Sequence, residues 1–197
     1  MKISKIGALC KAQKRFTVCN VGGEQWLSDG YGYYPLGDLP RLDGDNIFTM
    51  FDVAEDKREK YYVEEKHGMP NGIDVSDAIR DEVLLKYVPI WLVVSGAVML
   101  PLISEGRVLF VDKRYFSPFD FSVECYERKA ADGKSYIVTK RGMIACGVIT
   151  PEQIGTAALA DQLCELGELV AASTAPSAEP SQMSFDDKNE EEYLPLY

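Results

Sequence analysis

Glycine-bearing turn signals, spaced between runs of β-branched and aromatic residues, constrain this chain most strongly. Gly22-Gly23, Ser95-Gly96, Glu105-Gly106, Asp132-Gly133 and Arg141-Gly142 each separate two such runs. Short loops of this kind supply the positive φ angles that tight hairpins need, so the pattern predicts antiparallel strands joined by hairpins. The strands expected on this basis are Phe16–Val21, Glu24–Leu36, Ile90–Val94, Ala97–Ile103, Arg107–Val111, Phe121–Arg128, Ser135–Lys140 and Met143–Ile149. Asp29-Gly30 is expected to kink or turn the second of these.

Between the strands, apolar spacing predicts helices. Ser4–Arg15 carries Ile6, Leu9, Cys10 and Gln13 at helical spacing with Ser4 as N-cap, and Met1–Ser4 reads as a short strand before it. Asn46–Ala54 reads as a short helix, Val75–Tyr87 as a helix capped by Asp74 or Ser76, and Asp112–Phe119 as a short helix or turn ended by Pro118. Asp52–Lys66, dense in both charge signs, reads as the solvated surface of a helix or hairpin. Thr150-Pro151-Glu152-Gln153 combines a cap, a first-turn proline and a capping-box glutamine, and predicts a helix to Ala172. Its stripe of Ile154, Leu159, Leu163, Leu166 and Val170 is expected to pack on the domain's own sheet.

From Ser173 the composition shifts to Ser, Ala and Pro and then to acids. Ser173–Tyr197 holds a net −5, half of the chain's −10. A segment so poor in apolar residues cannot offset the entropy of ordering, so it is expected to be disordered. The chain therefore divides into an α+β domain over 1–150, an amphipathic helix over 151–172 and an acidic tail over 173–197.

Chemistry is sparse. A single histidine, His67, sits in a Gly/Pro-rich loop and reads as a surface loop residue, and no cysteine pair has zinc spacing. No phosphate-cradling glycine loop or nucleophile elbow is present. Asp43-Gly44-Asp45 lacks the remaining ligands of a calcium loop and reads as a turn. No catalytic residue, metal ligand or cofactor is assigned, although a site built on carboxylates or a cysteine stays open as an alternative. Tyr31, Tyr33 and Tyr34 could stack on bases, but cross-strand packing is the favoured use.

The cysteines Cys10, Cys19, Cys125, Cys146 and Cys164 are odd in number and read as reduced, mostly buried thiols. The opening residues lack a continuous apolar stretch of leader type, and Val88–Ile103 is broken by Pro89, Ser95, Gly96 and Pro101. The expectation is a cytoplasmic protein with no membrane segment.

The order of elements adds a resemblance. Residues 107–149 read as strand, short helix and three strands, and residues 1–36 begin the same way. A β-α-β-β-β unit used twice resembles a single domain of the DNA sliding clamps. Met1-Lys2-Ile3-Ser4, with Ala8-Leu9-Cys10-Lys11-Ala12 after it, resembles the opening of a bacterial clamp chain. Arg107–Pro118 is similar to the start of a clamp half-domain. Gly142–Pro151 resembles the final clamp strand, without the methionine that usually precedes its proline.

The resemblance implies a non-enzymatic accessory protein of DNA replication, of phage or mobile-element type. Its partners would be double-stranded DNA and replication proteins, with oligomerisation needed to close any ring, because this chain has room for one clamp domain. Lys5, Lys11, Lys14 and Arg15 are the DNA-contacting candidates. In the tail, Gln182-Met183-Ser184-Phe185 resembles the peptide by which replication proteins dock on bacterial clamps, with its leucine missing. Tyr193, Leu194, Leu196 and Tyr197 form a second apolar anchor. The alternative is a protein-interaction module without a DNA role, acting through the 151–172 helix and the tail.

Overall fold

In a computed structural model the described residues are 1–37, 39–152, 161, 164–169 and 172. They form a mixed α+β fold with two antiparallel-rich sheets and little helix. Helix α1 (Ile3–Gln13) leads into β1 (Arg15–Val21), β2 (Glu24–Ser28) and β3 (Gly32–Pro35), and α2 is a single turn (Ile47–Met50). β4 (Tyr62–His67), β5 (Val83–Leu84), β6 (Lys86–Tyr87), β7 (Leu92–Val94), β8 (Ala97–Ser104) and β9 (Arg107–Asp112) follow. A 3-10 turn (Lys113–Phe116) then precedes β10 (Glu124–Lys129), β11 (Ser135–Arg141) and β12 (Ile144–Ile149).

The larger sheet has the order β4-β1-β2-β3-β12-β11-β10-β5. Its centre is the antiparallel pair β3–β12, with Tyr33 opposite Val148 and Gly32 opposite Ile149. On either side lies a three-strand meander, β1-β2-β3 and β10-β11-β12, and each is preceded by a helical segment, α1 or the 3-10 turn. In strand order the two meanders repeat one another outward from the β3–β12 pair. In the smaller sheet β8 pairs with β6, β7 and β9.

The hairpins form where the turn signals lie. Gly22 and Gly23 have φ of 57° and 92°, and Ser95-Gly96 and Glu105-Gly106 likewise carry two positive φ angles in succession. This is the geometry of two-residue loops whose twist matches the flanking strands.

Alternation along the strands separates two cores. One face of the large sheet offers Phe16, Val18, Leu27, Tyr34, Ile137 and Ile149 to Ile6, Leu9 and Cys10 of α1, to Tyr115 and Phe116 of the 3-10 turn, and to Leu100 and Leu102 of the small sheet. The opposite face offers Cys19, Trp26, Tyr33, Tyr136, Val138 and Val148, covered in part by Met69, Ile73 and Val75. The far side of the small sheet packs Met99, Val108 and Phe110 against Cys164.

Several expectations are corrected. Met1–Ser4 is not a strand: the Lys2 carbonyl already accepts from Lys5 and Ile6, and the Lys2 N–H is spent on the Pro118 carbonyl at 2.7 Å. Ser4 does not cap α1, because Lys2 occupies the N-cap position and no side chain caps it. Glu24–Leu36 is two strands rather than one, since the Asp29 carboxylate accepts from the Tyr31 and Gly32 N–H groups and closes a turn. Asn46–Ala54 shrinks to the single turn of α2.

Val75–Tyr87 is not a helix. Arg128, fully buried, draws the Asp74 and Ser76 carbonyls to its guanidinium at 2.9 and 2.8 Å and pairs with Glu82 at 2.6 Å, which holds the segment extended across the sheet. The capping box at Thr150–Gln153 does not start a helix at Pro151. Glu152 forms an isolated bridge with Phe110, its N–H donating to the Phe110 carbonyl at 2.7 Å, so the backbone is still extended there. Residues 164–169 are helical, and Gly167 lies against Ile103 and Val88, where an added Cβ would displace the end of the Ile103 side chain. The described part of this helix thus packs on the small sheet. Of its expected stripe, Leu166 is 43% exposed, while Ile154, Leu159, Leu163 and Val170 lie outside the described residues.

Candidate nucleic-acid interface

The two helical segments lie on the same face of the large sheet, because Ile6, Leu9 and Cys10 share one core with Tyr115 and Phe116. Neither contains an acid: α1 reads ISKIGALCKAQ and the 3-10 turn KRYF. Their polar side chains include Lys5, Lys11, Lys113 and Arg114, and Lys14 caps α1. In a chain of net charge −10 this layer is locally cationic. A local concentration of Lys and Arg attracts a phosphate backbone even where the rest of the chain repels it.

Within the layer the sequence candidates separate. Lys11 is exposed and its ammonium donates to the Phe51 carbonyl at 3.2 Å. Lys14 is exposed and takes the left-handed conformation, φ 52°, that ends α1. Lys5 is half-buried, and at 100° per residue it projects about 120° around the helix from Lys11. Arg15 is not on the helix but is the first residue of β1. There it donates to Thr17 at 3.1 Å, pairs with Glu64 at 3.2 Å and lies over the Tyr62 ring at 5.1 Å. Lys11 and Lys14 therefore share one end of the helix, while Lys5 and Arg15 flank it.

Sequence reasoning missed Lys113 and Arg114. Arg114 is held by Asp112, whose carboxylate caps the 3-10 turn by accepting from the Arg114 N–H at 2.9 Å and binds its guanidinium at 2.6 Å. Asp112 is buried while the Arg114 side chain is 57% exposed, so the guanidinium reaches solvent while staying paired to its carboxylate. Lys113 lies over the Trp91 ring at 4.2 Å. The Asp-Lys-Arg run after a strand was the available signal.

An open apolar groove of about 400 Å³ borders the start of α1, lined by Met1, Ile3, Pro35, Leu36, Gly37 and Leu39. Of the tail candidates, Gln182, Met183, Ser184, Phe185, Tyr193, Leu194, Leu196 and Tyr197 all lie outside the described residues.

Other candidates take structural places. Asp43 accepts from the Asp45 and Asn46 N–H groups at 3.0 and 2.8 Å, a local turn before α2. His67 is on the surface as expected but not in a loop: it is the exposed last residue of β4, in register with Asn20 of β1. Tyr33 and Tyr34 are buried on opposite faces of the sheet, whereas Tyr31 is 42% exposed. All five thiols are buried and unpaired. Burial pushes Cys19 and Cys146 up to about 11 and raises Cys10 and Cys125 as well, the opposite of an activated nucleophile. Among the described residues no group of three or more His, Cys, Asp or Glu is placed to hold a metal, and no helix is long and apolar enough to cross a membrane.

The chain matches no protein-family model, no curated protein and no solved structure.

Proposed function

We propose that this chain is a non-enzymatic, clamp-like accessory protein of DNA replication that leans its cationic helical layer on duplex DNA. The observation that carries this reading is that α1 and the 3-10 turn, on one face of a sheet built from two meanders, hold Lys and Arg and no acid within their own spans. A duplex presents closely spaced phosphates, and the cations offered to them are Lys11 and Lys14 at one end of α1, Lys5 about 120° around the helix, and Arg114 on the 3-10 turn. The groove beside Met1, Ile3 and Leu39 gives an apolar seat for a replication partner, and the tail peptides are the proposed anchors for another. The test is titration of a labelled 20-base-pair duplex at several salt concentrations. Affinity should fall log-linearly with salt, at a slope of about −0.9 per phosphate neutralised. Salt-independent or absent binding would remove the DNA role.

A second reading is favoured by one specific feature. Leu166 and Leu169, in the helical residues 164–169, are 43% and 68% exposed, while Cys164 and Gly167 are buried. A protein-interaction module would use that face together with the tail. Leu169→Asp should then abolish partner binding and leave DNA affinity unchanged.

A further inference from the structure

The groove at the start of α1 is lined without a charged side chain. Met1, Ile3, Pro35 and Leu39, each half-buried, and the buried Leu36 enclose about 400 Å³. Gly37 leaves one side open, with nothing within 4 Å of where a Cβ would stand. Ligand pockets run from about 300 to 1,000 Å³, so this one has room for a few side chains and not for a folded partner.

The same end of the molecule favours acids. Residues 1–23 carry Lys2, Lys5, Lys11, Lys14 and Arg15 and no acid. α1 begins beside the groove with no side-chain cap and no acid in its first turn, so the positive end of its dipole is unanswered by a carboxylate. Of the acids nearby, Asp120 is held by the Met1 ammonium at 3.2 Å, and Asp38 lies outside the described residues.

One segment of the chain has the complementary pattern. Glu190-Glu191-Glu192 is followed at once by Tyr193-Leu194-Pro195-Leu196-Tyr197. Pro195 fixes its own φ and disfavours helix at Leu194, which biases the apolar run to an extended form that loses little entropy in a groove. Gln182-Met183-Ser184-Phe185 fits less well, with only Met183 and Phe185 to bury.

We infer that residues 190–197 dock in cis, with Leu194 and Leu196 in the groove and Glu190, Glu191 and Glu192 against the start of α1. The seat that a replication partner needs is then filled by the chain itself until that partner displaces it. The acids come to rest within a Debye length, about 8 Å, of Lys5 in the first turn of the helix, so docking also weakens DNA binding. That consequence rests on the proposed DNA role, whereas the docking does not. Reach is sufficient: residues 173–189 can span up to about 60 Å. A domain of this size is roughly 40 Å across. A tether of this kind supplies an effective concentration of about 1 mM, enough to populate a contact too weak to hold a separate peptide.

The experiment is NMR of the full chain labelled at isoleucine δ1 methyls, with the Ile3 signal assigned through Ile3→Val. Wild type is compared with Leu194→Ser/Leu196→Ser and with Met183→Ser/Phe185→Ser. Unchanged signals from the buried Ile6, Ile137 and Ile149 verify that each protein is folded. The Ile3 signal should move in the Leu194/Leu196 variant and stay in the Met183/Phe185 variant. A synthetic peptide of residues 190–197, added to the Leu194/Leu196 variant at about millimolar concentration, should return it toward the wild-type position. Affinity for a labelled 20-base-pair duplex should rise about two- to fivefold in that variant, since apparent affinity scales with the undocked fraction.

An Ile3 signal shared by wild type and the Leu194/Leu196 variant overturns the inference, as does one moved by the Met183/Phe185 variant instead. A wild-type Ile3 signal that shifts with protein concentration seats the tail on a second copy and overturns the cis arrangement. Equal duplex affinity in proteins whose methyl signals differ refutes the effect on DNA binding. Duplex binding by none of the proteins removes the DNA role, and the methyl signal alone then decides the docking.

Discussion

The Tyr34 hydroxyl donates a hydrogen bond to the Tyr115 carbonyl at 2.6 Å in a fully buried position, joining β3 of the first meander to the 3-10 turn that opens the second. Burial, reinforced by the nearby Asp29 charge, raises the Tyr34 phenol well above its ordinary range and keeps it a donor. Tyr34→Phe leaves the carbonyl without its partner in a dry core. We expect a loss of about 1–3 kcal/mol of unfolding free energy, read as a lower urea midpoint. An unchanged midpoint would mean that the two halves do not depend on this bond.

The same junction leaves no volume at Gly32. A Cβ there would lie 2.7 Å from the Tyr34 hydroxyl and 2.8 Å from the Tyr115 ring. Gly32→Ala should cost about 1–3 kcal/mol by overpacking. Gly44→Ala, with nothing within 4 Å, is the control and should melt like the wild type.

Glu82 answers two buried cations, Arg128 at 2.6 Å and Lys140, whose side chains are 0% and 4% exposed. Burial alone would raise its pKa, but hydrogen bonds from Lys140 and Arg128 outweigh that and hold it below the ordinary value. Glu82→Ala strands both cations, and removing one partner of a buried ion pair costs about 3–5 kcal/mol. Hydrogen exchange should then show residues 74–82 losing protection first. Uniform protection loss would contradict their role as a strap fastened by Arg128.

Glu127 joins the two sheets, accepting from Ser104 and Ser135 and pairing with Arg107 and Lys129. Burial pushes its pKa up, yet the hydrogen bonds from Ser104, Ser135 and Lys129 and the Arg107 charge bring it down to about 2 from 4.5. A carboxylate depressed on folding adds stability above its unfolded pKa, and that stability is lost as pH falls through the folded one. Thermal stability should therefore drop between about pH 4.5 and 2, by up to about 3 kcal/mol from this group. Glu127→Gln should flatten this part of the acid limb, and an unaltered pH profile would show that the pairing is not linked to folding.

What the sequence disclosed depended on how local the cause was. The hairpins at Gly22-Gly23, Ser95-Gly96 and Glu105-Gly106 were legible because each turn is specified by its own two residues. The buried face of α1 was legible from the spacing of Ile6, Leu9 and Cys10. The segment 75–87 was misread because its conformation is imposed by Arg128, over forty residues away in the chain, and no local pattern announces a guanidinium that takes two carbonyls. Glu152 was misread for a similar reason, since Phe110 captures its N–H before a helix can begin. For the candidate interface, charge composition pointed to α1. Only the fold moves Arg15 off the helix to β1 beside Tyr62 and sets Arg114 on the buried Asp112.

The central claim is that DNA is held by the cationic helical layer, and charge reversal tests it most directly. The Lys5→Glu/Lys11→Glu/Lys14→Glu variant and the wild type are titrated against one duplex from low to physiological salt. The account predicts that the wild type binds with a steep salt dependence. The variant should lose measurable affinity, or keep a residual salt slope smaller in magnitude by about 2–3, with its melting temperature preserved. Equal affinity and equal slope in the two proteins would contradict it.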